Sequence, residues 1–210
     1  MAKDTVIYVF DPMCGWCYGF SEIIKQAATE YQSDFDFQIL SGGMVVGERE
    51  GPIGDFADYI LGAYKRVEEY SGQTFGEPYL AQLRTKELYS SSVMPSIALE
   101  VFKSYFPDMA INFAHEMQRA YFYMGQDLRE DEVYLGLIKP YGIPGEEFLQ
   151  RLHSTEFKNL AFAGFQQSAH LGVSGYPAVL AIHDGKYYSL ANGFTPYQNL
   201  KEVFEKLKSL

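Results

Sequence analysis

Val6-Ile7-Tyr8-Val9-Phe10-Asp11-Pro12-Met13-Cys14-Gly15-Trp16-Cys17 is the stretch from which the rest of the chain can be read. Val6 to Phe10 are apolar, β-branched or aromatic without a break, the pattern of a strand buried on both faces, as parallel sheets require. Asp11-Pro12 ends it. Beyond the cysteines, Phe20, Ile23, Ile24, Ala27, Ala28 and Tyr31 recur at helical spacing, giving one apolar stripe on a helix that starts near Cys14. Phe35, Phe37 and Ile39 alternate as a second strand. Two strands joined by such a helix make a βαβ unit, whose crossover should be right-handed.

Cys14 and Cys17 are the only cysteines in the chain, and about one random placement in 100 would put two that far apart. At i and i+3 in a first helical turn their Cβ atoms lie about 5 to 6 Å apart, a small adjustment from disulfide geometry. Free N–H groups and the positive end of the helix dipole favour a thiolate at Cys14. Cys14 is therefore the expected nucleophile, exposed to meet its substrate, and Cys17, one turn deeper, the resolving thiol. Other readings of the pair are a structural disulfide, a zinc half-site, a c-type haem site and two inert buried thiols. A four-residue loop removes little unfolded-state entropy. Zinc needs two more ligands, and His115, His153, His170 and His183 lack the close spacing of a histidine pair. Haem attachment needs a histidine at position 18, which is Tyr. No metal or organic cofactor is expected.

Farther along, Gly42, Gly43, Gly47, Gly51 and Gly54 make a flexible exit from the sheet. About a hundred residues then read as helical, with no strand interrupting. Phe56, Tyr59, Ile60, Ala63, Tyr64 and Val67 form one stripe; Ile97, Ala98, Val101, Phe102 and Tyr105 form another, opened by Pro95 and closed by Pro107. Asp108 is placed to cap a third, Pro144 opens a short helix, and Phe157 to Leu171 forms a longer one ending at Gly172. The last forty residues return to a strand at Ala178–Ile182, a hairpin turn at Asp184-Gly185, a strand at Tyr187–Leu190, and a helix capped by Thr195 with Pro196 in its first turn. The expected parts are residues 1–48, a helical insertion over 49–155, and 156–210, in the order β-α-β, helices, α-β-β-α.

Net charge is −10, from 17 basic and 27 acidic residues, so no basic surface invites nucleic acid or an anionic membrane. No apolar run near the start is long enough for a signal peptide or a membrane span. A cytoplasmic location follows as an expectation, and there a dithiol is usually held reduced.

Asp11-Pro12-Met13-Cys14-Gly15-Trp16-Cys17-Tyr18-Gly19-Phe20, Gly42-Gly43-Met44, Tyr121 to Asp127 and Gly172-Val173-Ser174-Gly175-Tyr176-Pro177 together resemble the DsbA-like thioredoxin-fold family, and within it the predicted protein-disulfide isomerases. The resemblance spans nearly the whole chain. It implies an α/β thioredoxin fold with a large all-helical insertion, and thiol-disulfide chemistry on protein or peptide thiols and disulfides. The implied partners are such substrates, with glutathione or a thioredoxin-like protein for recycling. It also implies a cis peptide before Pro177, beside the cysteines, with the Tyr176 backbone offered to an extended substrate.

Two departures stand out. Related oxidoreductases usually carry a buried acid six residues before the first cysteine, and here that residue is Tyr8; proton handling for Cys17 is thus unassigned, with Asp11 and Glu22 expected as solvated helix-start charges. Gly15-Trp16 lacks the histidine or proline of well-known members, so direction of transfer is not carried over. Trp16 is expected to touch substrate, ordinary packing being the alternative. Rival functions are a glutathione-dependent isomerase or transferase of the kappa or 2-hydroxychromene-2-carboxylate type, and a non-catalytic peptide-binding chaperone.

Overall fold

A computed structural model describes residues 3–209. β1 (Asp4–Phe10), α1 (Gly15–Tyr31) and β2 (Phe35–Ser41) come first. β3 (Gly51–Pro52), α2 (Phe56–Ser71), α3 (Glu77–Thr85), β4 (Tyr89–Ser90), α4 (Val93–Lys103), α5 (Ala110–Phe122), α6 (Asp131–Ile138) and α7 (Gly145–Leu152) follow. α8 (Thr155–His170), β5 (Ala178–His183), β6 (Lys186–Asn192) and α9 (Tyr197–Leu207) complete the order. The main sheet runs β2-β1-β5-β6, with β1 parallel to β2 and antiparallel to β5, and β6 antiparallel to β5.

The unbroken apolar run of β1 is explained by its two covered faces. Ile7 and Val9 join Leu40, Ala178 and Leu180 on one side; Val6, Tyr8 and Phe10 join Phe20 and Ile24 of α1 on the other, the alternation that the pleat dictates. Asp184 and Gly185 both take positive φ, the two-residue hairpin turn read from their types.

Three local readings change. A strand pair does interrupt the helical stretch: Gly51 pairs with Ser90 and Pro52 with Tyr89. With two residues per strand, these segments have no periodicity to read. Asp108 lies in a short 3-10 turn and makes no cap hydrogen bond, because Pro107 starts that turn just before it. Pro196, not Thr195, is the cap position of α9.

Rings bind the helical stretch to α1. Tyr18 stacks on Phe122 at 5.2 Å and meets Phe75 edge-on at 5.3 Å, while Phe122 also touches Phe75 at 5.5 Å and Tyr79 at 5.2 Å. Such pairs contribute about 0.5 to 1.5 kcal/mol each beyond buried area. Phe122→Ala is expected to cost about 3 to 5 kcal/mol, read from the denaturant midpoint; a loss below about 1 kcal/mol would mean that these contacts do not hold α1 to the helices.

Candidate active site

Local geometry places both cysteines at the mouth of α1. Cys14 is its N-cap residue, with extended backbone (φ −88°, ψ 112°). The Cys14 amide donates to Asp11 O at 3.1 Å, closing the turn that redirects the chain from strand to helix. The Cys14 sulfur accepts from the Cys17 amide at 3.2 Å, and its thiol donates to Tyr176 O at 3.6 Å. A sulfur at this position is held by one of the free donors of the first helical turn. The side chain is less open than expected, at 7% exposure, because the turn bearing Tyr176 lies across it. Cys17 is at 0%, and burial and contact with Cys14 push its thiol well up.

The Tyr176–Pro177 peptide is cis. Tyr176 turns its ring inward: a Cβ on Gly42 would lie 2.1 Å from that ring, and the Tyr176 hydroxyl donates to Gly42 O at 2.8 Å. Gly43, at φ +69°, lies against the Phe165 ring. The Gly42-Gly43-Met44 motif therefore makes room for a contact between residues 134 apart in sequence. Pro177 is anchored by its own carbonyl, which accepts from Gly193 N at 2.8 Å.

Trp16 is half-buried, edge-on to Tyr70 at 6.2 Å and tilted against Phe194 at 5.7 Å. It is part of a packed cluster, with Tyr70 largely exposed at its edge. A Cβ on Gly15 would meet Phe75 only at ordinary contact distance, 3.5 Å, so space does not demand glycine between the cysteines.

Asp11 corrects the expectation of a solvated charge. It is at 0% exposure, and its carboxylate accepts from Met13 N at 2.9 Å, Met44 N at 2.6 Å and Ser92 Oγ at 2.8 Å. Desolvation outweighs these donors and raises its pKa to about 6. Gln118, also buried, donates to the Asp11 carbonyl at 3.1 Å. Sequence reasoning missed this clamp; the available signal was a carboxylate directly after a fully buried strand.

Glu22 is half-exposed, as expected of a surface charge, and pairs with Lys25 at 3.0 Å and His115 at 3.1 Å. His115 Nδ1 also lies 2.9 Å from Ser21 Oγ. The Ser21 hydroxyl also lies 2.7 Å from Tyr18 O, so its one proton has two acceptors in reach.

A cavity of about 370 Å³ opens beside the cysteine loop, with Met13, Met44, Ile53, Phe56 and Ile60 among its walls. A larger one, about 520 Å³, lies along β2 and residues 107–112 and includes none of the candidate site residues. Among the described residues, no group of three or more His, Cys, Asp or Glu is placed to hold a metal ion, and no helix is long and apolar enough to cross a membrane.

The thioredoxin family's sequence pattern matches residues 8–202. This chain belongs to that family. A solved candidate protein disulfide isomerase from Nitrosomonas europaea is 24% identical, with TM-score 0.84 over 99% of this chain and 98% of that one. The cytosolic disulfide reductase DsbM from Pseudomonas aeruginosa is 26% identical, with TM-score 0.82 over 98% of this chain and all of that one, and it has also been solved with GSH. A 2-hydroxychromene-2-carboxylate isomerase, 13% identical at TM-score 0.67 over 97% and 95% of the two chains, shares the fold. The ClpXP adapter protein SpxH of Halalkalibacterium halodurans is 22% identical over 98% of this chain and 68% of its own. The thioredoxin fold with its helical insertion and the DsbA-like resemblance both stand.

Burial of Asp11 has a pH signature. Between pH 4 and 6 the folded chain keeps a proton on Asp11 that the unfolded chain releases, so this residue's contribution to stability falls as pH rises through that window. Comparing wild type with Asp11→Asn by denaturant unfolding, the wild type's relative stability should drop by about 3 kcal/mol from pH 4 to pH 7. A difference independent of pH would mean that the carboxylate is solvated.

Proposed function

We propose that the chain is a thiol-disulfide oxidoreductase that reduces or isomerises disulfides in protein or peptide substrates, with Cys14 attacking and Cys17 resolving. The observation that carries this reading is the seat of the Cys14 sulfur, held on the Cys17 amide at the start of α1 while Cys17 itself lies wholly buried. The helix end gives the Cys14 sulfur a free N–H donor, and the difference in depth sets the order of events. An incoming disulfide meets Cys14 first.

The Cys14 thiolate attacks one substrate sulfur, the substrate S–S bond breaks, and the other substrate sulfur leaves as a thiol after taking a proton. Cys17 then attacks Cys14, forming the Cys14–Cys17 disulfide and releasing the second substrate sulfur. Once Cys14 is in a mixed disulfide it has no proton to give Tyr176 O, and that carbonyl is free to accept a substrate N–H as in an added strand. Met13 and Met44 offer an apolar wall to a side chain next to the substrate cysteine. Trp16, beside Cys17 in the chain and packed on Tyr70 and Phe194, acts in this reading as a substrate-contacting ring.

Reducing equivalents come from glutathione or a thioredoxin-like partner in a cytoplasmic setting. The likeness to a cytosolic disulfide reductase solved with GSH supports this part of the proposal. A glutathione-dependent isomerase or transferase would need no second thiol, and the presence of Cys17 beneath Cys14 favours the dithiol reading. Residues 49–155 act in it as the part that shapes the substrate surface.

Cys17→Ser should accumulate a mixed disulfide with a disulfide-bonded test protein, seen as a reductant-sensitive mass increase, and Cys14→Ser should form none. Trapping by the Cys14 variant alone would reverse the roles. Full activity of the double variant in a refolding assay without thiols would favour a binding module instead.

A further inference from the structure

Cys17 must become a thiolate to attack the mixed disulfide, yet water does not reach it and burial holds its proton on. Tyr8 shares the buried cluster of that sulfur and comes from the sheet to within side-chain hydrogen-bonding reach of it. It lies at the centre of β1, paired with Ile39 of β2 and Val179 of β5, and its ring is held beside Phe10 at 5.6 Å and Phe20 at 5.9 Å. Its hydroxyl is buried and has no hydrogen-bond partner of good geometry among the described residues. The ionisable group that it feels most is Cys17, followed by Cys14. An unmade buried hydrogen bond is unfavourable, a cost that phenylalanine in the same slot would not carry.

We infer that the Tyr8 hydroxyl is the hydrogen-bond donor that stabilises the Cys17 thiolate while it resolves the mixed disulfide. The inference rests on the dithiol chemistry proposed above. Tyr8 is a donor and not a base: burial keeps its own proton well above the ordinary tyrosine range. In the step itself, the Cys17 sulfur bonds to Cys14, the Cys14–substrate bond breaks, and the proton lost by Cys17 ends on the departing substrate sulfur. No outside oxidant or reductant enters.

The other ionisable groups around Cys17 do not fill this role. Cys14 is the sulfur under attack. The Asp11 carboxylate opposes a second negative charge and is occupied by Met13, Met44 and Ser92, although the Asp11 backbone favours the thiolate. Tyr176 spends its hydroxyl on Gly42 O. Tyr8 is left with a proton to share, and the Cys17 sulfur gains acceptor strength as it ionises.

Two measurements test this on Tyr8→Phe. In a Cys14→Ser background, adding Tyr8→Phe should move the titration of the Cys17 thiolate absorbance about one to two pH units higher, the size of a lost hydrogen bond to a charged group. With both cysteines present, a preformed mixed disulfide should resolve about 10- to 100-fold more slowly at neutral pH and regain speed as pH rises. Stability to denaturant should hold or increase. An unmoved Cys17 titration overturns the inference, and so does a loss of stability, which would give the hydroxyl a structural partner instead. If Cys17→Ser traps no mixed disulfide, the oxidoreductase reading fails; if it traps and Tyr8→Phe resolves with the wild-type pH profile, the Tyr8 assignment alone fails.

Discussion

A carboxylate cut off from water ties the cysteine-bearing turn to the rest of the molecule. Asp11 leaves β1, gathers donors from its own loop, from the exit of β2 and from the cap of α4, and its carbonyl receives the Cys14 amide and the Gln118 side chain. Burying it without partners would cost several kcal/mol; three donors offset much of that but not all, as its raised pKa records. The fold accepts the residual cost, and the result is a strand-to-helix turn fixed from four sides. Where the Cys14 sulfur points, and therefore what can reach it, follows from that fixation.

The second fixed side is the cis-proline turn. Tyr176 is locked by its ring on Gly42 and its hydroxyl on Gly42 O, so its carbonyl direction is set before any substrate arrives. In the proposed reaction, an acceptor preorganised in this way would need no rearrangement to meet an extended peptide. The two halves of the βαβ and hairpin arrangement thus meet at one sulfur, although 162 residues separate Cys14 from Tyr176.

Local pattern carried much of this into the sequence. Val6–Phe10 reads as a two-sided strand because both its faces are covered, and the α1 stripe reads as a helix because Phe20 and Ile24 sit on the sheet. The cysteine spacing and the Gly175-Tyr176-Pro177 run pointed to two segments that the fold brings into contact. What could not be read depends on distant neighbours. Asp11 looks like any acid at a helix start until Ser92, 81 residues away, covers it. Helix α3 and the Gly51–Ser90 pairing are too short to carry a period. Tyr8 shows only as a residue where an acid was awaited; its relation to Cys17 belongs to the packing of α1 on the sheet.

The ring contacts around Phe122 bear on how far α1 and the helical stretch can part. Tyr18 of α1, Phe75, Tyr79 and Phe122 interlock across the join between the first helix and the helical stretch. Prising the two apart like a jaw would separate several stacked and edge-on rings at once. The strap from Ser41 to Gly54 is held as well, with Gly43 against the Phe165 ring, Met44 N on the Asp11 carboxylate and Val45 N on Ser92 Oγ. With rings on one side and buried polar contacts on the other, the molecule is closer to a rigid anvil than to a hinged clamp.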